Sequence, residues 1–420
     1  QALQNQNIVS ASNNYNVAVG GNSMNANTTG VQNTAVGGLS LDANTTASNN
    51  TAVGYSTLSA NTTGASNTAI GSLAGASTTT GGNNTFLGLE AGRNNVTGTV
   101  NTFVGNAAGY NSTGGSNTAV GQTALYATTT GVANVAIGGP HSGVLNPAMR
   151  FNTTGSYGTA IGTGALASNT TASYNTALGY GSLYANTTGT FNVAVGSLAF
   201  DANTTGNYGT AVGKGALSAN TDADHNTALG YEALLVNTTG QNNTAVGSRA
   251  LDANTTGVSN VALGYVSLTS NTTGSRNVGI GANSGALATN TTGNNNVAVG
   301  ADALRDSSTA SDNTALGYAS QRATTTGTNN VSVGSASLTG NTTGSNNTAI
   351  GRLALDANTT ASNNTAVGTS ALQSNTTGTQ NVAVGAYALD SNTTASDNTA
   401  IGYGAMDATT TGQQNLAVGA

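Results

Sequence analysis

Apolar side chains in this chain come in two short bursts, and the pair of bursts repeats. The pattern is Asn-Thr-Ala-Val-Gly, two variable residues, Ala-Leu, two variable residues, Asn-Thr-Thr-Gly and two residues more. One copy, Asn226–Asn242, reads NTALGYEALLVNTTGQN. Thr227, Ala228 and Leu229 alternate as a strand does, with successive side chains on opposite faces. A second short strand is expected around Glu232–Leu235. The segment Asn237-Thr238-Thr239-Gly240 is turn chemistry, because Asn and Gly tolerate positive φ. The two recurrent large aliphatic residues, here Leu229 and Leu234, are the expected core. Two per coil make a thin core, so association with further copies is expected to help the fold.

The glycine that closes the first burst stands at 20 and every 17 residues to 105, and at 121 and 138. It continues at 162 and every 17 to 281, then at 300 and every 17 to 419, which makes 24 copies in 420 residues. Seventeen residues are too few for a strand-helix-strand unit and suffice for one coil of a solenoid. The reading is an all-β, parallel β-solenoid (β-roll) of about 24 coils running as one continuous body over residues 1–420. At the interstrand spacing of about 4.8 Å such a rod would be roughly 115 Å long. The longest departure from the period is an insertion that carries both prolines, read as a loop over 139–157.

Residues 1–15 and 415–420 read as incomplete coils. Joining the last residues, NLAVGA, to the first, QALQ, restores a full unit like the internal NVAVGAYALD. Gln1, Ala2, Leu3 and Gln4 would complete the coil begun by Asn415, Leu416, Ala417, Val418, Gly419 and Ala420 of another copy. A head-to-tail contact of this kind, if it does not close, makes an open filament.

Composition narrows the function classes. Charged residues are only 5% and the net charge is −6, with 8 Lys and Arg in all, which argues against nucleic acid as a partner. Cys is absent, so thiolate metal sites and disulfides are excluded. No apolar run approaches the ~18 residues of a membrane span. Catalytic constellations are missing too. Asp222-Ala223-Asp224-His225 occurs once, at a turn, and reads as a solvated corner. Asp42, Asp201, Asp252, Asp356, Asp390 and Asp407 recur after the repeat's leucine position, too irregularly for a calcium ladder, and read as solubility charges. No enzyme, metal or cofactor is expected. Tyr55, Tyr180, Tyr231, Tyr265, Tyr318 and Tyr403 share one repeat position and could face a glycan or a partner. Asn27, Asn44, Asn61, Asn186 and Asn237 meet the Asn-x-Ser/Thr rule as possible glycosylation sites. A stacked Asn/Thr ladder inside the coils explains the same residues without sugar.

The Asn-Thr-Ala-Val/Ile-Gly plus Ala-Leu pattern, as in Asn347–Leu355 (NTAIGRLAL), resembles the head repeats of trimeric autotransporter adhesins of the YadA type. It is also similar to the repeats of phage tail fibres. The resemblance spans nearly the whole chain, although the adhesin unit is shorter. It implies a parallel β-roll, an extracellular or cell-surface location, and a role in adhesion or as a fibre shaft. The expectation is a structural subunit of an extracellular filament, with a trimeric adhesin head or tail-fibre shaft as the alternative. Its partner is itself, with a cell-surface or glycan target possible.

Overall fold

A computed structural model describes residues 14–141, 146–281 and 285–419. The chain divides into two compact units, Gln1–Gly209 and Thr210–Ala420. The described residues hold 24 strands of three residues each and no helix. In the first unit the strands run from β1 (Val17–Val19) to β11 (Val193–Val195), and in the second from β12 (Thr210–Val212) to β24 (Leu416–Val418). Each unit is a parallel β-solenoid whose 17-residue coils stack in register. Thr34, Ala35 and Val36 pair with Thr51, Ala52 and Val53 in the first unit. Thr227, Ala228 and Leu229 pair with Thr244, Ala245 and Val246 in the second. The strand expected at each Thr-Ala-Val therefore forms.

The second expected strand does not. Around Glu232–Leu235 the backbone turns, with Glu232 at φ 54° and Leu234 at φ 51°. It still bonds like a ladder: the Glu232 N–H donates to the Lys214 carbonyl at 3.0 Å, and the Leu234 N–H to the Ala250 carbonyl at 3.0 Å. Left-handed residues recurring along one segment cannot make an extended strand, so each coil has one strand and otherwise turns. A non-glycine residue in that region costs about 1–2 kcal/mol. Burial of the leucine and satisfaction of its N–H offset that cost.

Core assignment also differs from expectation. Leu234 is fully buried, but Leu229 is 46% exposed, and Ala228 takes the interior place. A three-residue strand can send inward only its central side chain or its two outer ones. Alanine is the one that fits between the turns, so the aliphatic residue before the glycine points out. Where the interior alanine becomes phenylalanine, the leucine shrinks. A Cβ on Gly92 would lie 2.5 Å from the Phe86 ring, and one on Gly109 would lie 2.6 Å from the Phe103 ring. Conversely, Phe200 and Met149 occupy leucine positions opposite Gly209 and Gly158, where a Cβ would come within 2.2 Å and 2.4 Å of them. Volume is thus balanced between neighbouring coils: Gly75, at the leucine position of the coil before Phe86, would also place a Cβ 2.7 Å from that ring.

Polar interior positions are asparagine ladders. Asn243 is buried, its N–H donating to Asn226 Oδ1 at 2.9 Å and its Nδ2 to the Gly257 carbonyl at 2.8 Å. Its own Oδ1 accepts the Asn260 N–H at 2.9 Å. Each such asparagine satisfies backbone groups of the coil corner that the strand ladder cannot reach.

The proline-bearing insertion is shorter than its sequence suggests. The Ala148 N–H donates to the Gly138 carbonyl at 3.1 Å and the Met149 N–H to the Ala165 carbonyl at 3.1 Å, so the regular coil has resumed by Ala148. Residues 148–157 of the expected 139–157 loop are ordinary coil, and 142–145 lie outside the described residues.

Candidate interaction face

Because the central alanine faces inward, the first and third strand residues of every coil face out. In all 24 strands the third residue is Val, Ile or Leu, and the first is Thr, Val or Leu. Neither outward column contains a charged residue. Most of the leucines and isoleucines of the third column are exposed, among them Leu178 at 44%, Leu263 at 44% and Ile350 at 40%. In the second unit, thirteen strands at about 4.8 Å, each three residues of about 3.3 Å wide, make a face of roughly 600 Å². The eleven strands of the first unit make roughly 500 Å². The first column is Thr in 15 of the 24 strands, so the apolar part of the face is the unbroken Val/Ile/Leu column, and exposed contiguous apolar surface marks an interaction site. Soluble proteins usually break such faces with charge, and this one is left unbroken. Sequence reasoning missed it by assigning the third strand residue to the core; two-residue alternation around a central residue that is alanine in most strands was the available signal.

Of the residues expected at a subunit junction, Gln1, Ala2, Leu3, Gln4 and Ala420 lie outside the described residues. Asn415, Leu416, Ala417, Val418 and Gly419 form the last described strand and its glycine. Leu416 and Val418 are each 73% exposed, and among the described residues β24 pairs with Thr399–Ile401 alone.

The sequon asparagines are placed in the second interior ladder. Asn27, Asn44, Asn61, Asn186 and Asn237 are all buried. Asn44 Nδ2 donates to Asn27 Oδ1 at 2.8 Å and to the Ala47 carbonyl at 3.1 Å. Asn237 Nδ2 does the same with Asn220 Oδ1 at 3.0 Å and the Gly240 carbonyl at 2.9 Å. The nitrogen that would carry a sugar is committed inside the coil, which is the ladder arrangement that explains these residues without sugar. Modification and folding of these coils should exclude one another. In a glycosylating host, intact-mass analysis of the folded fraction should show these five sites bare. Folded protein carrying sugar at Asn44 or Asn237 would refute that.

The six tyrosines after the motif glycine share a repeat position but never adjacent coils; Tyr231 and Tyr265 are two coils apart, so they form no continuous platform. Lys214 stands 5.5 Å from the Tyr231 ring centre, and Arg249 bonds Glu232 beside it at 3.3 Å. The aspartates expected on the surface line one position after the leucine. Burial raises the carboxyls of Asp42 and Asp356 above the usual range, and burial followed by the charge of Asp407 raises Asp390. Among the described residues no three His, Asp or Glu side chains gather to hold a metal, and no helix is long and apolar enough to cross a membrane.

No family model matches the chain, and no curated protein is similar to it.

Proposed function

We propose that this chain is a structural, non-catalytic subunit of an extracellular fibre, and that it works by joining copies of itself side by side through the charge-free strand face. The observation that carries the reading is the outward aliphatic column, present in all 24 strands without one charge. A face of roughly 600 Å² per partner gives a contact of about 1,200 Å² in total, above the ~1,000 Å² expected of a specific interface. The likeness to trimeric adhesin heads and tail-fibre shafts supports the same reading, since both are lateral assemblies that carry a surface or glycan contact outward.

The test is mass in solution. The wild-type chain should sediment as a discrete oligomer at micromolar concentration, a trimer on the adhesin-like variant of this reading. Leu229→Lys with Leu263→Lys places two charges on the face without touching the core. Uncompensated charge buried in an interface costs about 2–5 kcal/mol per site, so affinity should fall by at least about 100-fold with the circular dichroism unchanged. A monomeric wild type, or a doubly charged variant that assembles normally, would sink the lateral reading.

End-to-end joining by coil completion is the second reading. It is supported by the complementarity of the NLAVGA and QALQ segments, which together match the internal NVAVGAYALD. Leu3→Asp should then stop filament growth while leaving the lateral oligomer intact.

A further inference from the structure

Four consecutive coils of the first unit carry an aromatic ring at the residue that precedes the strand asparagine position: Tyr157, Tyr174, Phe191 and Tyr208. All four have left-handed backbones, with φ between 57° and 61°, so their side chains leave the coil in the same direction. Tyr157 and Tyr174 are pinned from behind, their N–H groups donating to the Val132 and Ser156 carbonyls at 3.0 Å and 3.1 Å. The rings stack almost parallel: Tyr157–Tyr174 at 5.0 Å and 7°, Tyr174–Phe191 at 4.9 Å and 3°, Phe191–Tyr208 at 5.3 Å and 5°. Each ring covers the face of the next, so the ladder offers no open platform for a sugar. What it does offer to solvent is ring edges, and both Tyr157 and Tyr174 are about half exposed.

We propose that Tyr157 and Tyr174 are a site of oxidative cross-linking that staples two successive coils as dityrosine. Two parallel phenols in register hold their ortho carbons at about the ring separation, so the reacting atoms start close together. A one-electron oxidant of the peroxidase–hydrogen peroxide class removes one electron and one proton from each hydroxyl. The two phenoxyl radicals join through a new ortho carbon–carbon bond. The hydrogens on those carbons then move to the oxygens and restore both phenols. Two hydrogen atoms are lost from the protein, and one hydrogen peroxide becomes two waters. Phe191 separates Tyr174 from Tyr208, so the ladder has one coupling step. Tyr110 and Tyr126 also stack at 5.0 Å, but both are half-buried, and Arg93 and Arg150 stand over their rings at 5.8 Å and 5.7 Å. That second pair is the internal comparison.

The experiment treats the full chain with a peroxidase and hydrogen peroxide, followed by dityrosine fluorescence and peptide mapping. The expected product is a monomer-mass chain lighter by two hydrogens, with Tyr157 linked to Tyr174 on the order of tenfold above any other tyrosine pair. Tyr174→Phe should abolish that link and leave the fold unchanged, as Phe191 already sits in the same stack. Urea-unfolded chain should lose the preference. Cross-links spread evenly over the tyrosines, a Tyr110–Tyr126 product in excess, or links between chains alone would overturn the assignment.

Discussion

Replacing Gly37 by alanine should break the solenoid where the same change at Gly38 leaves it intact. Gly37 has φ +134°, a region side chains avoid, and a Cβ there would stand 2.3 Å from the carbonyl oxygen of Gly54 in the next coil. Strain in such a region costs about 1–3 kcal/mol. The overlap is with backbone, so it cannot be relieved by rotating a side chain; overpacking of this kind adds about 1–3 kcal/mol. Gly38 is one residue on, and the closest atom to its Cβ would be a ring carbon of Tyr55 at 3.7 Å, an ordinary contact. Gly38→Ala should be neutral or stabilise by up to about 1 kcal/mol through the unfolded chain. Urea unfolding of the two variants side by side tests this. Because a coil touches only its neighbours, Gly37→Ala should also show as raised hydrogen exchange confined to the coils around it. Equal midpoints for the two variants would mean that the stacked glycines do not hold the coils at their spacing.

The second large effect is at Asn243, and it depends on pH. Asn243→Ala removes the acceptor for the buried Asn260 N–H, while the Gly257 carbonyl keeps its bond from Asn254 Nδ2 at 3.1 Å. One orphaned N–H and a small cavity should cost about 2–4 kcal/mol. Asn243→Asp keeps an acceptor for Asn260, but its other oxygen takes the place of an Nδ2 that lay 2.8 Å from the Gly257 carbonyl. Charged, that oxygen is repelled and buried; protonated, it can donate the missing hydrogen bond. The folded state therefore raises this carboxyl above its unfolded value of about 3.9. A raised carboxyl leaves stability intact below the unfolded value and removes it as pH climbs through the folded one. Asn243→Asp should be the milder variant near pH 3 and the more damaging one at pH 7. If thermal melts place the two in the same order at both pH values, the ladder does not work through the Nδ2 donor.

Both predictions turn on residues whose recurrence was plain but whose work was not. The period of 17 and the strand at Thr-Ala-Val were legible because they depend on local chemistry, alternation and β-branching. A bend forms at Asn-Thr-Thr-Gly as well, but without positive φ: the left-handed residues of that coil are Gly230, Glu232, Leu234 and Asn242, not Asn237 or Gly240. The segment around Glu232–Leu235 was misread as a strand. Its left-handed residues are ordinary leucine and glutamate, and only the coil spacing above and below forces them there. Leu229 was misread as core for a related reason. Hydrophobicity says that a leucine prefers burial, not whether a place inside exists.

The sequence alone determined that this protein is a parallel stack of small coils, because a repeat of 17 residues is too short for a strand-helix-strand unit, suffices for one coil, and can bury its apolar groups only against its neighbours. Tertiary structure alone decided which way each strand faces. Where the turn leucine fills the interior, as Leu234 does, the space left on the strand takes a small side chain, so Ala228 goes in and Leu229 goes out. With that choice the buried asparagines become ladder rungs instead of sugar acceptors, and the aliphatic column becomes a surface. Side-chain type is local, but inside and outside are set by the volume that neighbouring coils leave.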